Sequence, residues 1–314
     1  MTGVICGTGA CVPERILDNH EIAGFVDTSD QWIRERTGVV SRRIAIEETT
    51  VSMAAEAGRQ AIQEAGISPK ELDMIIMATS TPDQIFPCGA CGVQKELEAV
   101  NAVCFDLNAA CSGFLFAYQT AQAYISSGIY KNILVVGSER LSRIVDWTDR
   151  GTCILFGDGA GAALIQAREG KTYQPFACSK GNGGEALTCP GTVSKEKNYI
   201  SMNGREVFQF AVRRVPEAVC QVLKNNGLNV DEIHWFILHQ ANQRIVEAAA
   251  RRLHAGIEKF PMNLQKYGNT SSASIPILLN ELNRNGSLKK GQKIVLAGFG
   301  AGLSWGASVL EWGI

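Results

Sequence analysis

Short apolar segments alternate along the chain with longer segments of helical periodicity. LDMIIMATS and NILVVGSE predict buried strands, and TTVSMAAEAGRQAIQEAG, closed by Gly66, predicts a helix. Strands that alternate with helices in this way indicate a sheet rich in parallel strands, with helices on both faces. The pattern therefore predicts an α/β fold.

The stretch FDLNAACSGF, Phe105 to Phe114, is the centre of this pattern. It begins as a buried strand, turns through small residues and enters a nearly all-apolar helix that runs from about Ser112 to Ile125. A helix that is apolar on every face belongs inside a domain. Cys111 falls at the first turn of this helix, where unpaired N–H groups and the helix dipole favour a thiolate. We therefore predict that Cys111 is a nucleophile in a deep site.

The second half of the chain repeats the first at one constant offset. This offset aligns Met53–Gly66 with Arg214–Gly227, LDMIIMATST with IHWFILHQAN, Asn108 with Asn269, and KNILVVG with QKIVLAG. One register across several elements predicts two copies of a single α/β unit. We place the join near Ala167–Gln174, which gives an N-terminal half, residues 1–168, and a C-terminal half, residues 169–314.

The duplication predicts where chemistry takes place, because ligands bind beyond the carboxyl ends of the strands in such sheets. That position carries Cys111 in the first copy, and His239 and Asn269 in the second. Two copies related by pseudo-twofold symmetry would bring a nucleophile, a proton donor or acceptor and an amide donor to one cavity. Each group also has a simpler interpretation. His239 could be a histidine at a strand end whose hydrogen bonds are satisfied, and Asn269 could be a helix N-cap. The later segment Phe299–Gly302, which would supply free N–H groups, could be an ordinary turn.

Composition narrows the classes of function. The chain has 314 residues, 46% of them apolar and 19% charged, with a formal net charge of −1. This balance argues against disorder and against bulk nucleic-acid binding. The N-terminal sequence lacks a signal-peptide pattern, and no window approaches the roughly 18 apolar residues of a membrane span. We expect a soluble, cytoplasmic protein with no membrane partner.

The ten cysteines do not predict a disulfide framework, because the chain has the features of a large intracellular enzyme. Four of them have apolar or small neighbours and are expected to be core thiols: Cys6, Cys104, Cys153 and Cys220. Cys88-Gly-Ala-Cys91 matches C-x-x-C. No second pair stands at metal-ligand spacing, so we expect neither zinc nor redox chemistry there.

Five motifs carry a resemblance to a known family. They are LNAACSGF around Cys111, RGTCILFGDGAGA from Arg150, HQAN from His239, YGNTSSASIP around Asn269, and the terminal GFGAGLSWGA. They resemble the motifs of thiolase-fold condensing enzymes, and within these the β-ketoacyl-acyl-carrier-protein synthase III group. The resemblance implies a layered αβαβα core and a homodimer, with the LVVG strand and Asp83–Cys91 in the region where subunits pair.

The resemblance also implies a catalytic triad of Cys111, His239 and Asn269, with no metal or redox cofactor. Cys111 would take an acyl group from acyl-CoA, while the N–H groups of Cys111 and Ala301 hold the oxyanion. His239 and Asn269 would then donate hydrogen bonds to the thioester oxygen of malonyl-acyl carrier protein. They would stabilise the enolate left when CO2 departs, and a 3-ketoacyl product would follow.

Substrate contacts are implied in the same way. The implied residues are Trp32, Arg36, Arg150, Gly204 and Asn242 for CoA, and Phe86 and Phe299 for the acyl pocket. The adenine would lie between Trp32 and Arg150, and Arg36 would lie near a phosphate. Asn242 and Gly204 would follow the pantetheine arm, and Phe86 would reach the neighbouring subunit's acyl tunnel.

Arg244, Arg251 and Arg252 form one basic edge on the helix that follows HQAN. Such an edge is commonly a solvated helix face. Beside a tunnel mouth it could instead dock the acidic helix of an acyl carrier protein. We predict the docking role.

Other functions fit parts of the pattern. Cys, His and Asn in this order also occur in papain-like cysteine hydrolases, but the C-G-x-C-W type of signature is absent and a duplicated chain is wrong for that fold. A related thiolase-fold ketide or quinolone-type synthase stays open, and the intact triad argues against a non-catalytic scaffold. The starter acyl group does not follow from the sequence.

Overall fold

The computed structural model describes residues 1–191 and 199–314. The strands are β1 Thr2–Cys11, β2 Ile16–Asp18, β3 Ser41–Arg43, β4 Met74–Ala78, β5 Val103–Leu107, β6 Asn132–Glu139, β7 Gly159–Arg168, β8 Phe176–Ser179, β9 Leu187–Thr188, β10 Ser201–Met202, β11 Trp235–Leu238, β12 Lys293–Gly300 and β13 Ser304–Glu311. The helices are α1 Asn19–Ile22, α2 Asp30–Thr37, α3 Thr50–Ala65, α4 Gly89–Leu97, α5 Gly113–Ser126, α6 Arg150–Cys153, α7 Gly204–Asn225, α8 Gln243–Leu253, α9 Leu264–Tyr267 and α10 Ser274–Arg284.

Both large sheets mix parallel and antiparallel strands. The first has the order β1-β7-β6-β4-β5, and β4 pairs in parallel with β5 and β6 while β7 pairs antiparallel with β1 and β6. The second has the order β11-β12-β13-β8, and only β11 and β12 are parallel. The expectation of a mostly parallel sheet is therefore wrong. The link from Gly300 to Ser304 is too short for a crossover, so β13 must return antiparallel to β12.

Three helical layers cover the two sheets. α5 and α10 share one apolar core with the inner faces of both sheets. α3 and α4 pack on the outer face of the first sheet, and α7 and α8 pack on the outer face of the second. The layer order is therefore αβαβα, as predicted.

The internal repeat is visible in the element boundaries. At the offset that aligns the sequences, β6 corresponds to β12 at both ends, and the start of α5 corresponds to the start of α10. A 3₁₀ turn precedes each of these helices, Ala110–Ser112 in the first copy and Ser271–Ala273 in the second. Each sheet is built entirely from one half of the chain, which supports the division that we propose at residue 168.

Two strands do not lie where the sequence placed them. β5 is an edge strand with a partly exposed surface, and its first residue, Val103, is 47% exposed, so it is not a buried strand. The LVVG residues, Leu134–Gly137, lie in β6 inside the sheet, where they cannot form a subunit contact.

No helix within the described ranges combines the length and apolar character needed to cross a bilayer.

The expectation of four core cysteines is correct only for Cys153. Cys6 and Cys104 are half-buried and Cys220 is exposed. Cys220 lies on α7, which packs on its sheet with one face only, so apolar neighbours in sequence do not place a residue inside.

Candidate active site

Cys111 lies in a strained turn between β5 and α5. The turn begins at Ala110, whose φ is 46°, and its symmetry mate begins at Ser271, whose φ is 49°. A left-handed conformation costs a residue with a Cβ about 1–2 kcal/mol, and such conformations cluster at functional sites. The two turns contact each other between the sheets, so both copies contribute to one site.

The backbone of β12 closes against this turn. A Cβ on Gly300 would lie 2.8 Å from the backbone nitrogen of Cys111, and a Cβ on Gly298 would lie 3.6 Å from the Cα of Ser112. Ala301, the next residue, lines the same cavity as Cys111. A side chain at position 298 would make an ordinary contact, whereas glycine is required at position 300, where the strand approaches the nucleophile most closely.

Burial controls the protonation state of Cys111. The side chain is buried, and burial raises the pKa of its thiol to about 12. The nearby Glu139 charge raises this pKa further, while a hydrogen bond with Ser271 lowers it. Burial therefore opposes the thiolate that the helix start would favour, because it penalises the charged form.

Glu139 is a site residue that the sequence analysis missed. It ends β6, it is fully buried, and burial raises the pKa of its carboxyl group. Its carboxylate accepts hydrogen bonds from the Thr81 hydroxyl at 2.7 Å and from the Ser272 hydroxyl at 2.8 Å. An acidic residue at the carboxyl end of an apolar strand was the available signal.

His239 directly follows β11 and is buried and uncharged. Burial lowers the pKa of its imidazole to about 3. Its Nδ1 lies 2.7 Å from the Ser274 hydroxyl, and the backbone N–H of Gln240 donates to that hydroxyl at 3.4 Å. A hydroxyl that accepts from Gln240 can donate to Nδ1, which leaves the proton of His239 on Nε2. Ser274, which orients the imidazole, was also missed.

Asn269 is held by both its backbone and its side chain. Its N–H donates to the Leu155 carbonyl at 2.8 Å, and its carbonyl accepts from the Gly157 N–H at 3.1 Å. The side-chain Oδ1 accepts from the Ser271 N–H at 2.9 Å, so the Nδ2 group is the one left to donate. Asn269 thus braces the turn that contacts Cys111 and does not directly cap α10, which begins at Ser274.

A cavity of about 950 Å³ opens onto Cys111. Its wall includes Ser80–Ile85, Leu187–Gly191, Ser271 and Ala301. Within the described residues, this wall includes neither His239 nor Asn269. Asn269 is joined to the wall by Ser271, whose backbone N–H donates to the Asn269 Oδ1. The His239 ring instead meets the Phe299 ring edge-on, with 5.2 Å between the ring centroids.

The two predicted acyl-pocket residues differ in placement. Phe86 is 83% exposed and follows Ile85, which lines the cavity. Phe299 is 4% exposed and packs in the outer core with α7 and α8. Phe299 is not among the described residues that line the cavity, because side chains alternate along β12, and Gly298 and Gly300 occupy the face toward Cys111. Its role in the acyl pocket stays a prediction.

Four of the five predicted CoA residues lie together. The Arg150 guanidinium lies over the Trp32 ring at 5.0 Å, and that of Arg36 lies at 5.7 Å. Asn242 donates from Nδ2 to the Arg36 carbonyl at 3.0 Å. Gly204 begins α7, and no described contact joins it to this group. Because Arg150 itself covers the Trp32 face, an adenine could enter between them only if Arg150 moved.

The three predicted docking arginines are exposed on α8. The Arg244 guanidinium lies over the Phe208 ring at 5.2 Å, whereas Arg251 and Arg252 lie in the last turn. Within residues 1–191 and 199–314, none of the three forms an ion pair. This surface is therefore available to an acidic partner.

Comparisons with known proteins agree with this geometry. Profiles described as 3-Oxoacyl-[acyl-carrier-protein (ACP)] synthase III and its C terminal match residues 105–181 and 223–312. The beta-ketoacyl-[acyl-carrier-protein] synthase III of Clostridium acetobutylicum is 50% identical over 98% of both chains.

Two solved structures are also similar. The 3-oxoacyl-[acyl-carrier-protein] synthase III of Aquifex aeolicus superposes with a TM-score of 0.95 at 46% identity, covering 99% of this chain and 100% of that one. The priming beta-ketosynthase of the R1128 polyketide pathway has a TM-score of 0.96 at 34% identity, covering 99% and 96%. The chain belongs to the beta-ketoacyl-[acyl-carrier-protein] synthase III family.

Proposed function

We propose that the protein initiates fatty acid synthesis by decarboxylative condensation of an acyl-CoA starter with malonyl-acyl carrier protein. The single observation that carries this proposal is the contact of Gly300 with the Cys111 turn, because Cys111 lines a cavity of about 950 Å³. It gives a nucleophile, a facing backbone and room for an acyl chain. Both half-reactions use only protein groups and the two substrates.

In the first half-reaction the Cys111 sulfur attacks the thioester carbonyl. The proton that leaves Cys111 ends on the departing CoA sulfur, so the acyl transfer is neutral overall. We assign the oxyanion to the N–H groups of Cys111 and Ala301, since Ala301 follows the glycine that touches Cys111. Because burial raises the pKa of the thiol, Cys111 must lose its proton before or during the attack, since the thiolate is the nucleophile.

In the second half-reaction His239 and Asn269 act as neutral donors. The lowered pKa of His239 keeps its imidazole uncharged, and the Ser274 contact favours a proton on Nε2. Asn269 is oriented by Ser271 to donate from Nδ2. Two such donors on the malonyl thioester oxygen would stabilise the enolate formed as CO2 leaves, and the carbanion would attack the acyl-cysteine.

We propose that substrates reach this cavity from the side of α2 and α8. Trp32, Arg36 and Arg150 would bind CoA, with Asn242 and Gly204 along the pantetheine arm. The basic edge of α8 would bind the carrier protein. We further propose a homodimer, supported by the unpaired edge of β5 and by the exposed Ile85 and Phe86.

Mass spectrometry of Cys111 after incubation with a panel of acyl-CoAs tests the proposal. We expect an acyl adduct on Cys111 that malonyl-acyl carrier protein removes with release of CO2. Release as free acid without malonyl-acyl carrier protein would instead indicate a hydrolase. The similarity to a polyketide priming enzyme makes a ketide synthase the second candidate, and carrier proteins from the two pathways would separate them.

A further inference from the structure

The Ser271–Ser272 turn is held by a strand of the other copy. Gly137 and Glu139 lie two residues apart in β6, so both face this turn. A Cβ on Gly137 would collide with the Ser272 carbonyl oxygen, and the Glu139 carboxylate accepts from the Ser272 hydroxyl at 2.8 Å. β12 approaches the Cys111 turn with the two equivalent residues, but both of those are glycines. At these positions, therefore, only β6 places a side chain against the facing turn.

The carboxyl group of Glu139 joins this turn to the end of β4 and the loop that follows it. Its Oε1 accepts from Ser272, while its Oε2 accepts from the Thr81 hydroxyl at 2.7 Å and from the Ser80 N–H at 3.0 Å. The Ser272 hydroxyl also lies 3.0 Å from the carbonyl oxygen of Ala78, the last residue of β4. Because both oxygens of the buried carboxyl group are bonded, Glu139 fixes Ser272 relative to β4.

The turn needs this support because its backbone is strained. Ser271 has a φ of 49°, a left-handed conformation that is unfavourable for a residue with a Cβ. Such residues persist only where the surrounding structure holds them. The Ser271 N–H donates to the Asn269 Oδ1 at 2.9 Å, so relaxation of the turn would reorient the Asn269 amide. The direction of the Nδ2 donor therefore depends on the contacts of the next residue, Ser272.

We propose that Glu139 is a positioning residue for the second half-reaction. It is fully buried, and among the residues that the structure describes it does not belong to the cavity wall. Its effect therefore passes through Ser272 and Ser271 to the amide of Asn269. This inference rests on the proposed condensing function, in which Asn269 donates a hydrogen bond to the malonyl thioester oxygen.

Glu139 fills this role by hydrogen bonding and not by its charge. Burial raises the pKa of its carboxyl group, because burial penalises the charged form. A glutamine has the same shape, and its amide can accept from Thr81 and Ser80 while it donates to the Ser272 hydroxyl. The Ser272 proton then stays available to the Ala78 carbonyl. Glu139→Gln should therefore preserve the turn, whereas Glu139→Ala should release it.

The test measures acylation and CO2 release separately on the full chain. In Glu139→Ala, kcat for CO2 release from malonyl-acyl carrier protein should fall about 10- to 100-fold, since a displacement of about 1 Å at a reacting group can cost that much. KM should stay within about twofold, because the turn supplies no contact to the carrier protein. Acylation should stay within about threefold, because Cys111 and Gly300 are unchanged. Glu139→Gln should restore CO2 release to within about fivefold of the unsubstituted chain.

Two further variants show whether the effect passes through the turn. Ser272→Ala should give the same selective loss, and adding Glu139→Ala to it should cause no further loss, because both changes break one contact. Glu64→Ala is the matched control. The Glu64 carboxylate also joins the two copies, through the Thr8 N–H at 2.6 Å and the Asn283 amide at 2.9 Å, but Asn283 lies at the end of α10 far from Ser272. This control should lose stability without a selective loss of CO2 release.

Amide hydrogen exchange in residues 269–274 gives a readout that needs no activity. Exchange in the free protein should accelerate at least about tenfold in Glu139→Ala, but not in Glu139→Gln or Glu64→Ala, because only the first releases the turn. If the unsubstituted chain neither acylates Cys111 nor releases CO2, the proposed function fails, and exchange still decides whether Glu139 holds the turn. If Glu139→Ala does not fold, Ser272→Ala makes the same test with a smaller change.

Three results would overturn the positioning role. They are an equal loss in both half-reactions, unchanged exchange when the turn contact is broken, and no rescue of CO2 release by Glu139→Gln. Loss of acylation in both Glu139→Ala and Glu139→Gln would also contradict it, because that pattern would make Glu139 the acceptor of the Cys111 proton.

Discussion

Gly300 lies so close to Cys111 that a Cβ on the glycine would stand 2.8 Å from the cysteine's backbone nitrogen. At the equivalent position of the first copy stands Glu139, whose carboxylate accepts a hydrogen bond from Ser272, the equivalent of Cys111. The two copies have therefore diverged at two linked pairs of positions, Glu139 with Gly300 and Cys111 with Ser272. Gly300 at the end of β12 leaves room for the backbone of the nucleophile. Glu139 at the end of β6 fills the equivalent space in the first copy with a buried carboxylate.

We predict that Gly300→Ala destabilises the fold and abolishes acylation. The added Cβ meets backbone atoms, which cannot rotate away, so overpacking should lower the free energy of unfolding by about 1–3 kcal/mol. Denaturant unfolding and mass spectrometry of the acyl-enzyme measure the two effects. Gly181→Ala is the matched control, since its Cβ would meet nothing within 4 Å. Equal behaviour of the two variants would refute the role of Gly300.

The layered fold could be predicted from the sequence because apolar periodicity and one constant offset determine it. The role of Gly300 could not be predicted, because in the sequence a glycine that contacts another element cannot be distinguished from a glycine in a turn. Phe299 could not be assigned to a face of β12 for a related reason. Its neighbours in sequence are the residues that face Cys111, and only the strand pairing of β12 shows which face is inward.

We predict that Cys111 is protonated in the free protein and reacts through its small thiolate fraction. Its pKa is raised to about 12, so the thiolate fraction should increase about tenfold per pH unit below that value. Alkylation of Cys111 by iodoacetamide, followed by peptide mass spectrometry, should accelerate steadily from pH 7 to pH 9. A rate that levels off below pH 8 would instead indicate a pre-formed thiolate–imidazolium pair with His239. Cys111→Ser should carry no adduct at this position and should not condense.

We predict a division of labour within the triad. His239→Ala and Asn269→Ala should still be acylated by acyl-CoA, because the nucleophile and its facing backbone are unchanged. Each should lose about 100- to 1,000-fold in CO2 release from malonyl-acyl carrier protein, the usual effect of removing one oxyanion donor. Single-turnover acylation and decarboxylation assays separate the half-reactions. Loss of acylation with decarboxylation preserved would reverse the assignment.

The buried placement of His239 and Asn269 was only partly predictable. The repeat predicted that His239 and Asn269 would lie at equivalent strand ends, but it did not predict the partners that orient them. Ser274 and Ser271 lie in a run of small residues, SSAS, that signals only a helix start in sequence. Which hydroxyl meets an imidazole depends on how α10 packs between the sheets.

We predict a homodimer in which Phe86 bounds the partner's acyl pocket. Phe86 is 83% exposed and follows a cavity-lining residue, so it presents an apolar surface that a partner subunit could bury. Sedimentation should give a dimer at micromolar concentration, and Phe86→Ala should change the preference among acyl-CoAs of different length. A monomer, or an unchanged preference, would contradict this arrangement.

The last prediction is that the basic edge of α8 serves the carrier protein and not CoA. A charge at the rim of a site affects the encounter with an acidic partner, and salt screens that effect over a Debye length of about 8 Å at physiological ionic strength. Arg244→Glu with Arg251→Glu should therefore raise KM for malonyl-acyl carrier protein and flatten its salt dependence. Acylation by acyl-CoA should hardly change, because Trp32 and its arginines lie on other elements.

Both half-reactions must be measured across a salt series, with a control of equal charge change. Lys289→Glu with Lys290→Glu provides it, because these exposed lysines precede β12 at the end of that strand far from Gly300. If net charge alone mattered, the control would show the same flattened salt dependence as the arginine variant. If α8 supported the whole site structurally, acylation and condensation would fall together. A docking surface predicts that only the carrier-protein step loses activity, and only in the arginine variant. The reason is that electrostatic steering depends on where the charge lies.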